Sequence, residues 1–123
     1  MKAVLIVDDS RTTRGYHEAI LSSGGYRVVA ASDGSEALER LFEEPFDLVL
    51  TDVNMPGMDG FELIRRIRAN AEWAAMPVVI LSTDVRDGER KKGYAAGANL
   101  YLGKPSSPES LLDHVQMMLG EEL

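Results

Sequence analysis

Five side chains in this sequence could do chemistry together. They are Asp8 and Asp9 in "VDDS", Asp52 in "LTDVNMPGMDG", Ser82 in "ILSTD" and Lys104 in "LGKP", each just after an apolar run. Three carboxylates gathered in one place are unfavourable. Two of them about 5 Å apart repel by about 3 kcal/mol at an effective dielectric of about 20. One ammonium does not balance three acids, whereas a hard divalent cation with oxygen ligands does. Without His or Cys in the set, Mg²⁺ is favoured over Zn²⁺. A carboxylate beside Mg²⁺, a lysine and a hydroxyl is also the equipment for accepting a phosphoryl group. The cations neutralise charge on its equatorial oxygens and the hydroxyl hydrogen-bonds one of them. Asp52 stands alone after its run and suits a nucleophile, while the paired acids suit metal ligands.

Taken singly, these residues carry little. Asp9 or Ser10 could simply cap the next helix, Asp52 opens a turn cluster, Lys104 reads as a solvated lysine and Ser82 as an N-cap. Their joint placement carries the argument.

What must position them is an alternation of strand-like and helix-like pattern, five times over. The strand candidates are residues 3–7, 26–31, 47–51, 77–81 and 99–103. Three are nearly continuous aliphatic runs, which marks parallel strands covered on both faces. Between them, Ala37, Leu38, Leu41 and Phe42 form one helical stripe, and Phe61, Leu63, Ile64 and Ile67 another. Asp33 with Glu36 reads as a capping box. Ser107-Pro108 reads as N-cap and first residue of a last helix along Leu111, Leu112, Val115, Met118 and Leu119, ending at Gly120 with three residues left outside the fold. The expected fold is α/β, a doubly wound five-stranded parallel sheet of five βα units with right-handed crossovers. Such folds bind ligands beyond the carboxyl ends of their strands, where the candidate residues fall. His17 and His114 read as surface residues, Trp73 as a packing anchor and the six methionines as core filler.

Bulk properties remove other classes. The 123 residues suit one domain, and 45% apolar with 27% charged residues is ordinary for a soluble globular protein. The absence of cysteine excludes disulfides and thiolate metal sites. "MKAVLIVDD" is no signal peptide, and no apolar run approaches the roughly 20 residues that span a bilayer. The expectation is a cytoplasmic protein without membrane contact. A net charge of −7 argues against nucleic-acid binding. The local bases, Arg65, Arg66 and Arg68 in "RRIR" and Arg86, Arg90, Lys91 and Lys92 in "RDGERKK", read as solvated helix faces.

The set "VDDS", "DLVLTDVNMPGMDGFEL", "VVILST" and "GANLYLGKP" resembles the receiver domain of two-component response regulators, of the single-domain chemotaxis-regulator type, from Lys2 to the final helix. The resemblance implies a flavodoxin-like receiver fold with strand order 2-1-3-4-5 and one receiver over residues 1–123 with no output domain. It implies that Asp52 is the phosphoacceptor. Asp9, Asp52 and the backbone carbonyl of Asn54 would bind Mg²⁺ directly, and Asp8 would hold a metal-bound water. Lys104 would pair with the phosphoryl group, Ser82 would swing toward it, and Tyr101 would rotate inward as the switch aromatic. Asn54, Thr83 and Asp84 fall at positions that tune phosphate lifetime, and Thr83 is larger than the alanine or glycine common there. The implied partners are a sensor histidine kinase or histidine phosphotransfer protein and a downstream target. That target would bind the surface of the fourth helix, fifth strand and fifth helix, roughly residues 86 to 119. The chain would be a monomer or a weak phosphorylation-dependent dimer and not an enzyme beyond self-catalysed phosphorylation and dephosphorylation.

Two rivals stand beside this reading. Some Mg²⁺-dependent phosphatases place a nucleophilic aspartate after a parallel strand, but they want a second acid two residues on, where this chain has Asn54. A phosphorylation-independent adaptor would retain the site without using it.

Overall fold

The computed structural model describes residues 1–121. Strands and helices alternate throughout: β1 (Ala3–Val7), α1 (Arg11–Ser23), β2 (Arg27–Ala31), α2 (Gly34–Glu43), β3 (Leu48–Thr51), α3 (Gly60–Ala69), β4 (Val78–Ser82), α4 (Asp87–Ala96), β5 (Leu100–Gly103) and α5 (Pro108–Met118). All strand pairs are parallel, in the order β2-β1-β3-β4-β5. The five βα units, the parallel sheet and the 2-1-3-4-5 order agree with expectation. No helix among the described residues is long and apolar enough to cross a membrane.

The continuous aliphatic runs have the predicted cause. Every residue of β1, β3 and β4 is buried. Alternate side chains feed two cores, one on each face of the sheet. Leu5, Val7, Val49, Val78 and Ile80 pack under α2, α3 and α4. Val4, Ile6, Leu48, Leu50, Val79 and Leu81 pack under α1 and α5. Each such side chain contributes about 1.5–3 kcal/mol on burial, so the three central strands form a rigid mount.

Local chemistry ends the elements. Ser10, Asp33, Asp59 and Ser107 each cap a helix by accepting the backbone N–H three residues on. The capping box is shifted by one: Glu36 accepts from the N–H of Ser32 rather than from its cap residue. Strands two to five begin one residue later than their patterns suggested, because Tyr26, Asp47, Pro77 and Asn99 make the entry contacts instead. Asp47, for example, donates its N–H to the Ala3 carbonyl and caps the Ala3 N–H with its carboxylate.

Several expectations need correction, among them the methionines as core filler, since Met1 is 91% and Met117 55% exposed. Phe42 is 73% exposed. At about 100° per residue it lies about 140° from Ala37, off the buried arc of Ala37 and Leu41, and its ring meets Trp73 edge-on at 4.9 Å. His17 is not at the surface but 1% exposed, beside Ile20 and Leu21 on the inner face of α1. His114 is half-buried, its Nδ1 within 2.7 Å of the Ser110 carbonyl oxygen. Of the three residues expected outside the fold, Glu121 accepts a hydrogen bond from the Tyr26 hydroxyl at 2.9 Å. The other two, 122 and 123, lie outside the described residues. Trp73 is buried, as a packing anchor should be.

Candidate functional site

Asp8, Asp52 and Lys104 sit one step beyond their strands and Asp9 two, whereas Ser82, expected just after its strand, is the last residue of β4. The sheet's own hydrogen bonds reach the first three. Asp8 N–H donates to Ala31 of β2 at 3.1 Å, Asp52 N–H to Val7 of β1 at 2.9 Å, and Lys104 N–H to Ser82 of β4 at 2.9 Å. The ladder thus extends into the site and fixes three backbones before any side chain is placed. In β1 and β3 the register pairs Val7 with Thr51, so Asp8 and Asp52 leave neighbouring strands side by side. Gly60 tightens this edge from the helix side. A Cβ there would stand 2.2 Å from the Asp52 carbonyl oxygen, so only glycine lets α3 start against the Asp52–Val53 backbone.

The side chains converge. Lys104 Nζ lies 2.9 Å from Asp8 Oδ2 and 3.1 Å from Asp52 Oδ2, joining both acids. Their other oxygens are engaged too: Asp8 Oδ1 accepts from Ser10 N–H at 2.9 Å and Asp52 Oδ1 from Val53 N–H at 2.7 Å. Asp8 is 3% and Asp52 9% exposed, whereas Asp9 faces solvent. Burial holds the Asp52 carboxyl above its ordinary value, outweighing the pull of Lys104 and of the Val53 N–H. For Lys104, burial pulls downward but is outweighed by the hydrogen bond to Asp8 and the charges of Asp52 and Asp8, so it stands above an ordinary lysine. The carboxylate oxygens of Asp8, Asp9 and Asp52 lie within 4.8 Å of one another. An all-oxygen acidic donor set of that span fits a hard divalent cation such as Mg²⁺.

Ser82 is buried and its hydroxyl oxygen accepts from Asp84 N–H at 3.1 Å. Thr83 and Asn54 are exposed. The Asp84 carboxylate is turned to Arg86 at 2.6 Å, and that hydrogen bond draws its pKa down to about 2. Tyr101, expected to turn inward on phosphorylation, is already 2% exposed, its hydroxyl donating to the Asp84 carbonyl. The Lys104-Pro105 peptide is cis. Beside Lys104 opens a largely apolar pocket of about 390 Å³, lined by Thr13, Tyr16, His17, Thr83 and Pro105 among others.

Two contributors were missed from sequence. Arg14 donates to the Asp8 carbonyl at 2.7 Å, and its place one turn into the helix after the paired acids was an available signal. Arg90 reaches the Val85 and Tyr101 carbonyls. Nothing in its basic run set it apart from Lys91 and Lys92.

Known proteins resemble this chain over nearly its whole length. The response regulator receiver domain family matches residues 4–116. The chain is 36% identical over 120 residues to protein PilH of Pseudomonas aeruginosa, covering 98% of this chain and 99% of that protein. Among solved structures, chemotaxis protein CheY4 of Vibrio cholerae superposes with a TM-score of 0.92 at 38% identity, covering 96% of this chain and 98% of that one. The receiver domain of a Pseudomonas aeruginosa sensor histidine kinase, with a magnesium ion coordinated in its active site cleft, superposes with a TM-score of 0.91 at 32% identity, covering 98% of each chain. The chain spans about half the length, 49%, of one transcriptional regulatory protein it matches, and 10% of one sensor protein.

Proposed function

This chain belongs to the receiver-domain family of two-component response regulators, and from that membership we propose that Asp52 accepts a phosphoryl group from a phosphohistidine on a partner kinase or histidine phosphotransfer protein. The observation that carries the reading is the Asp52 carboxylate itself: nearly buried at the carboxyl edge of the sheet, 3.1 Å from a lysine and grouped with two further acids.

An Asp52 oxygen attacks phosphorus, the P–N bond breaks, and its electron pair returns to the donor's imidazole nitrogen. The bond from Val53 N–H holds the carboxylate orientation. Lys104, shared between Asp8 and Asp52, is placed to follow the new negative charge onto a phosphoryl oxygen. The Ser82 oxygen already accepts from Asp84 N–H, so its own hydrogen remains to donate to the phosphoryl group. Asp8, Asp9, Asp52 and the Asn54 carbonyl would hold Mg²⁺, which supplies charge neutralisation for the phosphoryl oxygens when bound. Asp9, the most exposed of the three acids, would be a direct ligand, and Asp8, tied to Lys104, would hold the ion less directly. Asn54, Thr83 and Asp84 set how long the phosphate survives.

We read the 123 residues as one receiver, acting in the cytoplasm as a phosphoacceptor rather than a turnover enzyme. Its output is a population shift on the α4, β5 and α5 surface, felt by a downstream target. Incubation with acetyl phosphate and Mg²⁺ should add one phosphate, detected by intact mass, and Asp52→Asn should remain unlabelled. Full labelling of that variant overturns the assignment. Asp9→Ala should weaken Mg²⁺ binding more than Asp8→Ala; the reverse order exchanges their roles.

A further inference from the structure

Arg90 sits in a basic run that the sequence presents as solvated, yet its guanidinium faces inward onto the fold. Its Nε donates to the Val85 carbonyl at 3.1 Å and an outer nitrogen donates to the Tyr101 carbonyl at 3.0 Å. The same group stands over the Tyr101 ring, 5.3 Å from its centroid. One side chain therefore ties the β4–α4 loop to β5 and covers the aromatic between them.

The rest of Tyr101 is held by the same neighbourhood. Its hydroxyl donates to the Asp84 carbonyl, and its N–H donates to the Tyr94 hydroxyl at 3.2 Å. Room for the ring comes from Gly93, where a Cβ would stand 2.9 Å from Tyr101 Cδ2 and 2.8 Å from Ile80 Cδ1. The Asp84 N–H meets the Ser82 hydroxyl. Ser82, Asp84, Tyr101, Arg90 and Val85 thus form a continuous chain of contacts running from the phosphoacceptor edge to the surface of α4.

We propose that Arg90 is a positioning residue that clamps Tyr101 in its buried orientation before phosphorylation, by forking between the Val85 and Tyr101 carbonyls and covering the ring. The chemistry suits arginine rather than lysine. A planar guanidinium reaches two carbonyls while lying on an aromatic face, and a single ammonium does not. With the clamp closed, the buried form is the resting form. The phosphorylated site then meets a partner surface already arranged and need not draw the ring inward.

The test uses tyrosine nitration of the metal-free full chain, mapped by peptide mass. Tyr16 and Tyr94 are 45% and 46% exposed and report free reaction; Tyr26 and Tyr101, 7% and 2% exposed, report protection. The expected result is that Arg90→Ala makes Tyr101 react at a rate approaching Tyr94 while Tyr26 stays protected. Arg90→Lys should behave like Arg90→Ala. A Tyr101 that stays protected in Arg90→Ala overturns the proposal, and so does simultaneous opening of Tyr26, which is general loosening.

A second readout rests on the phosphoacceptor reading. If the buried form falls to about a tenth of the population in Arg90→Ala, beryllofluoride affinity with Mg²⁺ should fall about tenfold. Unchanged affinity despite an opened Tyr101 overturns the link from clamp to site. A parent chain that does not bind beryllofluoride overturns the phosphoacceptor reading and leaves the nitration result standing.

Discussion

The Lys104 ammonium lies 3.1 Å from the Asp52 carboxylate, although the two are 52 positions apart in the chain. Burial nonetheless holds the Asp52 carboxyl above its ordinary value of 3.8. A raised carboxyl favours folding in its protonated form. That contribution is full below pH 3.8 and is lost as pH rises through the folded value, so the ionised group weakens the fold at neutral pH. Asp52→Asn should therefore raise the urea midpoint at pH 7 in EDTA, and the gain should disappear below pH 4. Added Mg²⁺ should stabilise the parent, by about 2.7 kcal/mol at a hundredfold excess over Kd, and stabilise the variant less.

His17 is neutral in the fold because burial, and then the charge of Lys104, hold it below 6.5. Its stabilising contribution is full above pH 6.5 and is lost as pH falls through the folded value. Its Nε2 is also the one buried side-chain nitrogen or oxygen without a partner among the described residues. An unpaired buried polar atom costs about 1–3 kcal/mol. His17→Leu should be more stable by about 1 kcal/mol at pH 7 and should lose less stability than the parent between pH 7 and 5 in urea titrations.

Tyr26 is pushed up to about 12 by burial and by its hydrogen bond to Glu121. Stability from this group is full below pH 10 and is lost as pH rises from 10 to about 12. Tyr26→Phe should lower stability by about 1 kcal/mol at pH 7 and flatten the alkaline loss, read from thermal melts across that range. An unchanged alkaline slope would show that the Tyr26–Glu121 contact does not persist in solution.

Gly60→Ala forces a methyl group against the Asp52 carbonyl. Moving α3 away should cost about 1–3 kcal/mol and displace the Asp52 backbone. The expected outcome is a lower melting temperature together with slower acetyl phosphate labelling. Gly88→Ala, in the first turn of α4 where a Cβ meets nothing within 4 Å, should leave labelling unchanged and raise stability by about 0.4–1 kcal/mol, and serves as the control.

Arg68 binds the Gly97, Trp73 and Met76 carbonyls and the Asn99 side-chain oxygen, holding the C-terminal end of α4 to the start of β4. Hydrogen bonds from a charged donor contribute about 1.5–3 kcal/mol each before losses overlap. Arg68→Ala should cost at least about 2 kcal/mol in chemical denaturation, and Arg68→Lys should recover little, because one ammonium cannot reach acceptors spread around a planar fork.

Much of this protein is written locally. The continuous aliphatic runs "AVLIV", "LVL" and "VVIL" demanded burial on two faces, and a parallel sheet with helices on both sides is the arrangement that provides it. Ser107-Pro108 and Asp33 announced their helices because capping is a three-residue matter. The acids, Ser82 and Lys104 could be grouped because parallel strands send all their carboxyl ends to one edge. What resisted reading depends on contacts between distant segments. The helix α4 buries only Gly93 and Ala96 and so shows almost no apolar stripe. Phe42 looked like core and lies on the surface; His17 looked polar and lies inside. Arg90 differs from its lysine neighbours only in what stands opposite, the Val85 and Tyr101 carbonyls and an aromatic face. Periodicity reports which face of an element is apolar, but a polar side chain's role is set by the partner across the gap, and only the folded chain supplies that partner.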